Sequence, residues 1–95
     1  MSQPATTHEP RSYSNPSPAG GEQAKYRFPN GYGASVIRGL YTYGGVSGLW
    51  EIAVLGPDGD LDYSTPVTND VIGYLSDDEV QGVLDQIEAL PMAGA

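Results

Sequence analysis

Proton transfer near neutral pH usually relies on an imidazole, and this chain carries one, His8. It stands among Pro, Ser, Thr and Glu with almost nothing to bury, so no serine can be held at a fixed distance from it. A nucleophile–base pair therefore fails on geometry. Carboxylates are the next source of chemistry, and Asp58, Asp60, Asp62 and Asp70 are the candidates. They fall in a turn and a loop, where solvated Asp is the ordinary finding, and paired acid–base catalysis is not expected from them. Asp58, Asp60 and Asp62 alternate as the ligands of a calcium loop do. The sixth and twelfth positions of such a loop call for Gly and Glu, and here they hold Tyr63 and Asn69. A polar hairpin turn is the simpler reading. The glycine-rich run at residues 31–35 (GYGAS) lacks both the Gly-Lys-Ser/Thr of a phosphate loop and the dinucleotide spacing before a helix. There is no Cys for a disulfide, and a single His leaves a zinc site without ligands. No enzyme, cofactor or metal is expected.

Aromatic side chains carry more information. Tyr26, Phe28, Tyr32, Tyr41, Tyr43, Trp50, Tyr63 and Tyr74 are many for so short a chain. Phe28 and Trp50 are expected in the core. Tyr32, Tyr41 and Tyr43 sit in Gly-rich segments, where Tyr supplies contact area at low entropic cost. The simpler reading is that they pack at the rim of the core with wet hydroxyls.

The elements that must position these residues can be read in order. Residues 1–24 are rich in Pro, Ser, Thr, Gly and Gln and are expected to form a disordered tail, with no apolar stretch of the signal-peptide kind. Residues 25–91 are expected to form a single domain, and residues 92–95 a flexible C-terminus. Residues 25–28 (KYRF) alternate as a strand, Asn30-Gly31 makes a hairpin turn because both tolerate positive φ, and residues 34–38 pair back. Residues 39–48 read as a bulge or wide loop. Residues 49–55 (LWEIAVL) form the strongest strand, with Trp50, Ile52 and Val54 facing inward. A turn at residues 56–60 leads to a short strand at 61–65, ended by Pro66. Residues 71–75 read as a short helical segment.

Ser76-Asp77-Asp78-Glu79 is a capping box, and Val80, Val83, Leu84, Ile87 and Leu90 follow as one apolar helical stripe. The predicted fold is α+β: an antiparallel sheet of four to five strands packed by a C-terminal helix, a two-layer sandwich. So small a domain buries only about 60% of its unfolded surface, which makes a homodimer a possible route to added stability.

Charge excludes two partner classes. The formal net charge is −8 at pH 7, with four basic against twelve acidic residues. Direct binding to nucleic acid or to an anionic membrane calls for the opposite sign. A basic protein partner suits it, although acidic surfaces often serve only solubility.

Three stretches, KYRFPNGYGASVIRG, GLWEIAVLGPDGDLDYSTPVTNDVIGYLS and DDEVQGVLDQIEAL, together resemble a group of small proteins encoded by tailed bacteriophages and prophages. FPNGYGASV, GLWEIAVL and TPVTNDVIGYLS are the most specific parts. The resemblance covers nearly all of the chain beyond residue 24 and brings no catalytic residues with it. It implies a non-structural accessory product made in the cytoplasm of an infected bacterium.

The expected function is thus to bind and modulate a host bacterial protein. The candidate contacts are Tyr32, Tyr41 and Tyr43 and the acidic helix residues Asp77, Asp78, Asp85 and Glu88. Two alternatives stand beside it: an acidic mimic of nucleic acid that blocks a DNA- or RNA-binding protein, and a small virion or assembly protein.

Overall fold

The structure is a computed structural model that describes residues 12–17 by backbone path alone, and residues 21–39, 42, 44–68 and 70–93. Its sheet has five strands in the sequential order β1-β2-β3-β4-β5, every neighbouring pair antiparallel. They are β1 (Ser12–Ser17), β2 (Gly21–Arg27), β3 (Gly33–Arg38), β4 (Trp50–Leu55) and β5 (Ile72–Leu75). A 3₁₀ turn, Gly45–Ser47, interrupts the β3–β4 connection, and the helix α1 (Asp77–Glu88) closes the chain. The α+β sandwich expected from the sequence is the fold observed.

Period-two alternation decides which side chains meet the helix. The register pairs Tyr26 with Ala34 and Ala34 with Val54 in one row, and Ala24 with Val36 and Val36 with Ile52 in the next. These rows lie beneath Val80, Val83, Leu84 and Ile87, and all ten side chains are buried. Ala34, Ile52, Leu84 and Ile87 are wholly enclosed. At roughly 1.5–3 kcal/mol for each large apolar side chain buried, this contact is the main source of cohesion between the layers.

The hairpin between β2 and β3 closes with the Phe28 N–H donating to Tyr32 O and the Gly31 N–H to Phe28 O. Gly31 takes the left-handed backbone at φ 91° and Asn30 does not. Asn30 instead ties the turn to the helix. It is buried, its Nδ2 donates to the carbonyls of Ile87, Glu88 and Leu90, and its Oδ1 accepts from the Tyr32 N–H. One turn residue thereby satisfies carbonyls that the end of α1 leaves without intrahelical partners.

Four expectations need correction. The disordered tail does not extend to residue 24: Ser12–Ser17 and the first half of β2 are strand. Backbone pairing at a sheet edge asks little of the side chains, which is how so polar a segment is recruited, and Pro16 is tolerable on an edge strand. Residues 1–11 and 18–20 lie outside the described residues. Residues 71–75 do not form a helical segment. Ile72–Leu75 hydrogen-bonds along β4, and Tyr74 at φ 58° could not continue a helix. Residues 61–65 are not a strand; Leu61 makes an isolated bridge to Leu55. Ala53 and Leu55, expected on the outward side of β4, are also buried. At the C-terminus the Ala93 N–H donates to Asn30 O, while residues 94–95 lie outside the described residues.

Candidate functional site

The helix α1 lies over β3, β4 and β5, so β2 sits at the margin of the covered area. Between β2 and the first turns of α1 this leaves a groove of about 210 Å³, lined by Ala24, Tyr26, Val36, Trp50, Asp77, Val80 and Gln81. Its depth has a local cause. Ala24 occupies the β2 position in the row where β3 and β4 present Val36 and Ile52, so a methyl group stands where a larger side chain would reach the helix.

One end of the groove is a fixed polar assembly. The Trp50 indole N–H donates to Asp77 Oδ1 at 2.7 Å, tying the start of β4 to the first turn of α1. The Arg38 guanidinium lies over the indole ring, 4.0 Å from its centroid. Its Nε donates to Glu22 Oε1 at 2.9 Å, its second terminal nitrogen pairs with the same oxygen, and its first donates to Gly48 O. Cation–π contact and ion pairing together hold the ring in one orientation. Arg38 is thus neutralised by Glu22, whereas Asp77 bonds a neutral indole and keeps its negative charge at the rim.

The helix beside the groove is charged with one sign. Asp77, Asp78, Glu79, Asp85 and Glu88 are all exposed, and α1 holds no Lys or Arg. Asp77, Asp78 and Glu79 suit the positive end of the helix dipole. Glu79 is further engaged in the capping box: the Ser76 backbone N–H and then its hydroxyl hold the Glu79 carboxyl below the usual carboxylate range. Asp85 and Glu88 occupy the last turn, where the dipole favours cations.

The residues picked from the sequence scatter. Asp77, Asp78, Asp85 and Glu88 share α1, but Asp77 alone reaches the groove. Tyr32 is half-buried against the core near the opposite end of the helix, the rim-packing arrangement weighed above for it. Tyr41 and Tyr43 lie outside the described residues. Asp58 and Asp62 each use a carboxylate oxygen in a local turn: Asp58 Oδ1 accepts from the Asp60 N–H, and Asp62 Oδ1 from the Ser64 hydroxyl and N–H. Those two bonds, the hydroxyl first, lower the Asp62 carboxyl below its ordinary value. Among the described residues no group of three or more His, Cys, Asp or Glu is placed to hold a metal ion. Nor, among them, is any helix long and apolar enough to cross a membrane.

Sequence reasoning missed the Glu22–Arg38–Trp50–Asp77 assembly and the Ala24 hollow. Carrying the alternation of β2 back from Tyr26 would have placed Ala24 inward and Glu22 beside it, ready to face Arg38. Starting that strand at Lys25 hid both. No family model, curated protein or solved structure matches the chain. The groove thus combines an apolar hollow with a carboxylate at its rim.

Proposed function

We propose that this chain is a non-enzymatic protein-binding module that engages a basic partner through the exposed side of α1. In the setting that the phage resemblance implies, the partner is a host bacterial protein whose action is modulated in the cytoplasm. The observation that supports this most directly is the charge of α1, five carboxylates and no cation along twelve residues. The helix dipole does not favour Asp85 and Glu88, because carboxylates near a helix C-terminus meet its negative end. Such a surface attracts a cationic partner and speeds its encounter at low salt.

The test reverses charges that do not line the groove. Tagged wild-type chain and an Asp78→Lys/Asp85→Lys/Glu88→Lys variant are compared for capture of proteins from bacterial lysate at low and high salt. A basic protein held by the wild type at low salt and lost by the variant is the expected outcome. Equal retention of that protein by both would sink the assignment of α1 as the contact. The run of carboxylates along one helix also favours a second reading, mimicry of a nucleic-acid backbone. That reading requires the captured protein to be displaced by duplex DNA or RNA.

A further inference from the structure

The groove beside α1 has a shape and a charge pattern that select an occupant more narrowly than the acidic helix alone. Its walls and floor are apolar where they are deepest, at Ala24, Val36 and Val80, with the aromatic rings of Tyr26 and Trp50 at its sides. An apolar cavity of about 150 Å³ is enough to hold benzene. At about 210 Å³ this hollow accommodates one large aliphatic or aromatic side chain, provided the rest of the ligand stays outside. The rim decides what that remainder must be. Asp77 Oδ1 takes the indole N–H and leaves Oδ2 at the edge, and Asp78 follows on the same exposed turn. Arg38, stacked on the Trp50 ring, is paired with Glu22, so its charge is already partnered there.

We infer that the groove lined by Ala24, Val36, Trp50 and Val80 is a docking site for a short basic segment of a partner protein, which inserts one Leu- or Phe-sized side chain between β2 and α1 while its flanking Lys or Arg residues meet Asp77 and Asp78. This deepens the proposed function and rests on it, because it names the chemistry of the partner. The apolar anchor supplies the desolvated centre and the flanking cations form a wet rim, the usual division of labour at an interface. Trp50 is placed to report occupancy: it is the only Trp in the chain, its ring lines the hollow, and its environment changes when the hollow fills.

The experiment is a titration of full-length protein, followed by Trp50 fluorescence, with the capped peptide Lys-Arg-Phe-Arg-Lys. Two control peptides replace Phe by Ala, or every basic residue by Glu. Saturable quenching or a spectral shift is expected with the first peptide only, and raising the salt should weaken binding without abolishing it. Ala24→Leu fills the hollow from its floor and is expected to weaken the peptide by about tenfold or more, with circular dichroism confirming the fold. Gln81→Arg adds a repelling charge to the rim without touching the core, and should weaken the peptide even if Ala24→Leu fails to fold.

Several results would overturn the inference. Binding that tolerates Ala24→Leu, or loss of Phe from the peptide, leaves the groove without a role. A response to the Glu peptide equal to that of the basic one removes the charge selection. A Trp50 signal that depends on protein concentration alone, and that the peptide does not change, makes a second copy the occupant. If binding survives Ala24→Leu but disappears in the triple charge reversal of α1, the groove is excluded while the helix reading stands, so the two failures are separable.

Discussion

Asn30 does more for this fold than its place in an Asn-Gly turn suggests. Its amide satisfies three carbonyls at the end of α1, its side-chain oxygen holds the Tyr32 N–H, and its own carbonyl accepts from Ala93. A buried polar group with its partners costs little, but removing its side chain breaks the bonds to the Ile87, Glu88 and Leu90 carbonyls and to the Tyr32 N–H together. Asn30→Ala is therefore expected to lower the unfolding free energy by about 2–3 kcal/mol, the cost of orphaned buried groups. Asn30→Asp should be worse, because it turns a carboxylate toward carbonyl oxygens. Urea unfolding monitored at Trp50 measures both, and a wild-type midpoint for Asn30→Ala would refute the clasp. The same clasp gives a physical account of why the FPNGYG run stands out in the sequence: it closes the hairpin and anchors the helix.

At the scale of elements, α1 shows how local signals act together. The Ser76 hydroxyl accepts from the Glu79 N–H, and the Glu79 carboxylate accepts from the Ser76 N–H at 2.8 Å. Ser76→Ala removes the hydroxyl and should cost about 1 kcal/mol, a typical N-cap loss. The acid response follows from the direction of the Glu79 shift. A carboxyl held lower in the folded state than in the unfolded chain adds stability above its unfolded value, and that stability is lost as pH falls through the folded value. The wild type should lose stability on acidification below the usual carboxylate range, and Ser76→Ala should lose less over that window because part of the linkage is already gone. Thermal midpoints across an acid pH series give the comparison. Identical slopes for the two proteins would mean that the capping box does not couple to protonation.

The described residues form a five-stranded meander with a helix over one side of it, and its stability is unevenly distributed. The heavily packed rows run through β2, β3 and β4, while β1 and β5 are edges. Because β1 pairs Ser12 with Lys25, Tyr13 with Ala24 and Ser14 with Gln23, β2 is an inner strand with neighbours on both sides. Amide hydrogen exchange should accordingly show protection across the whole of residues 23–25, and deletion of residues 1–17 should release the amides that face β1 while sparing those that face β3. Unprotected exchange of all the β1-facing amides in the intact chain would remove β1 from the sheet. The groove is also a whole-molecule property. It exists because α1 crosses the sheet away from β2, and because Ala24 fails to fill the space that results.

What the sequence determined by itself is whatever can be read within a few residues. The capping box and apolar stripe announced α1, the Pro29-Asn30-Gly31 turn announced the β2–β3 hairpin, and the alternation of Trp50, Ile52 and Val54 announced the inward face of β4. Each depends on turn chemistry or a periodicity that neighbouring side chains carry. The tertiary structure decided the rest. Ile72–Leu75 is a strand because β4 offers it hydrogen bonds, and Ser12–Ser17 is a strand because β2 does, so partners distant in sequence settle both. The Glu22–Arg38–Trp50–Asp77 assembly joins three strands to a helix, and no spacing along the chain encodes it. Local sequence supplies the donors and acceptors of each segment, but which distant backbone or side chain answers them is known only once the layers have packed.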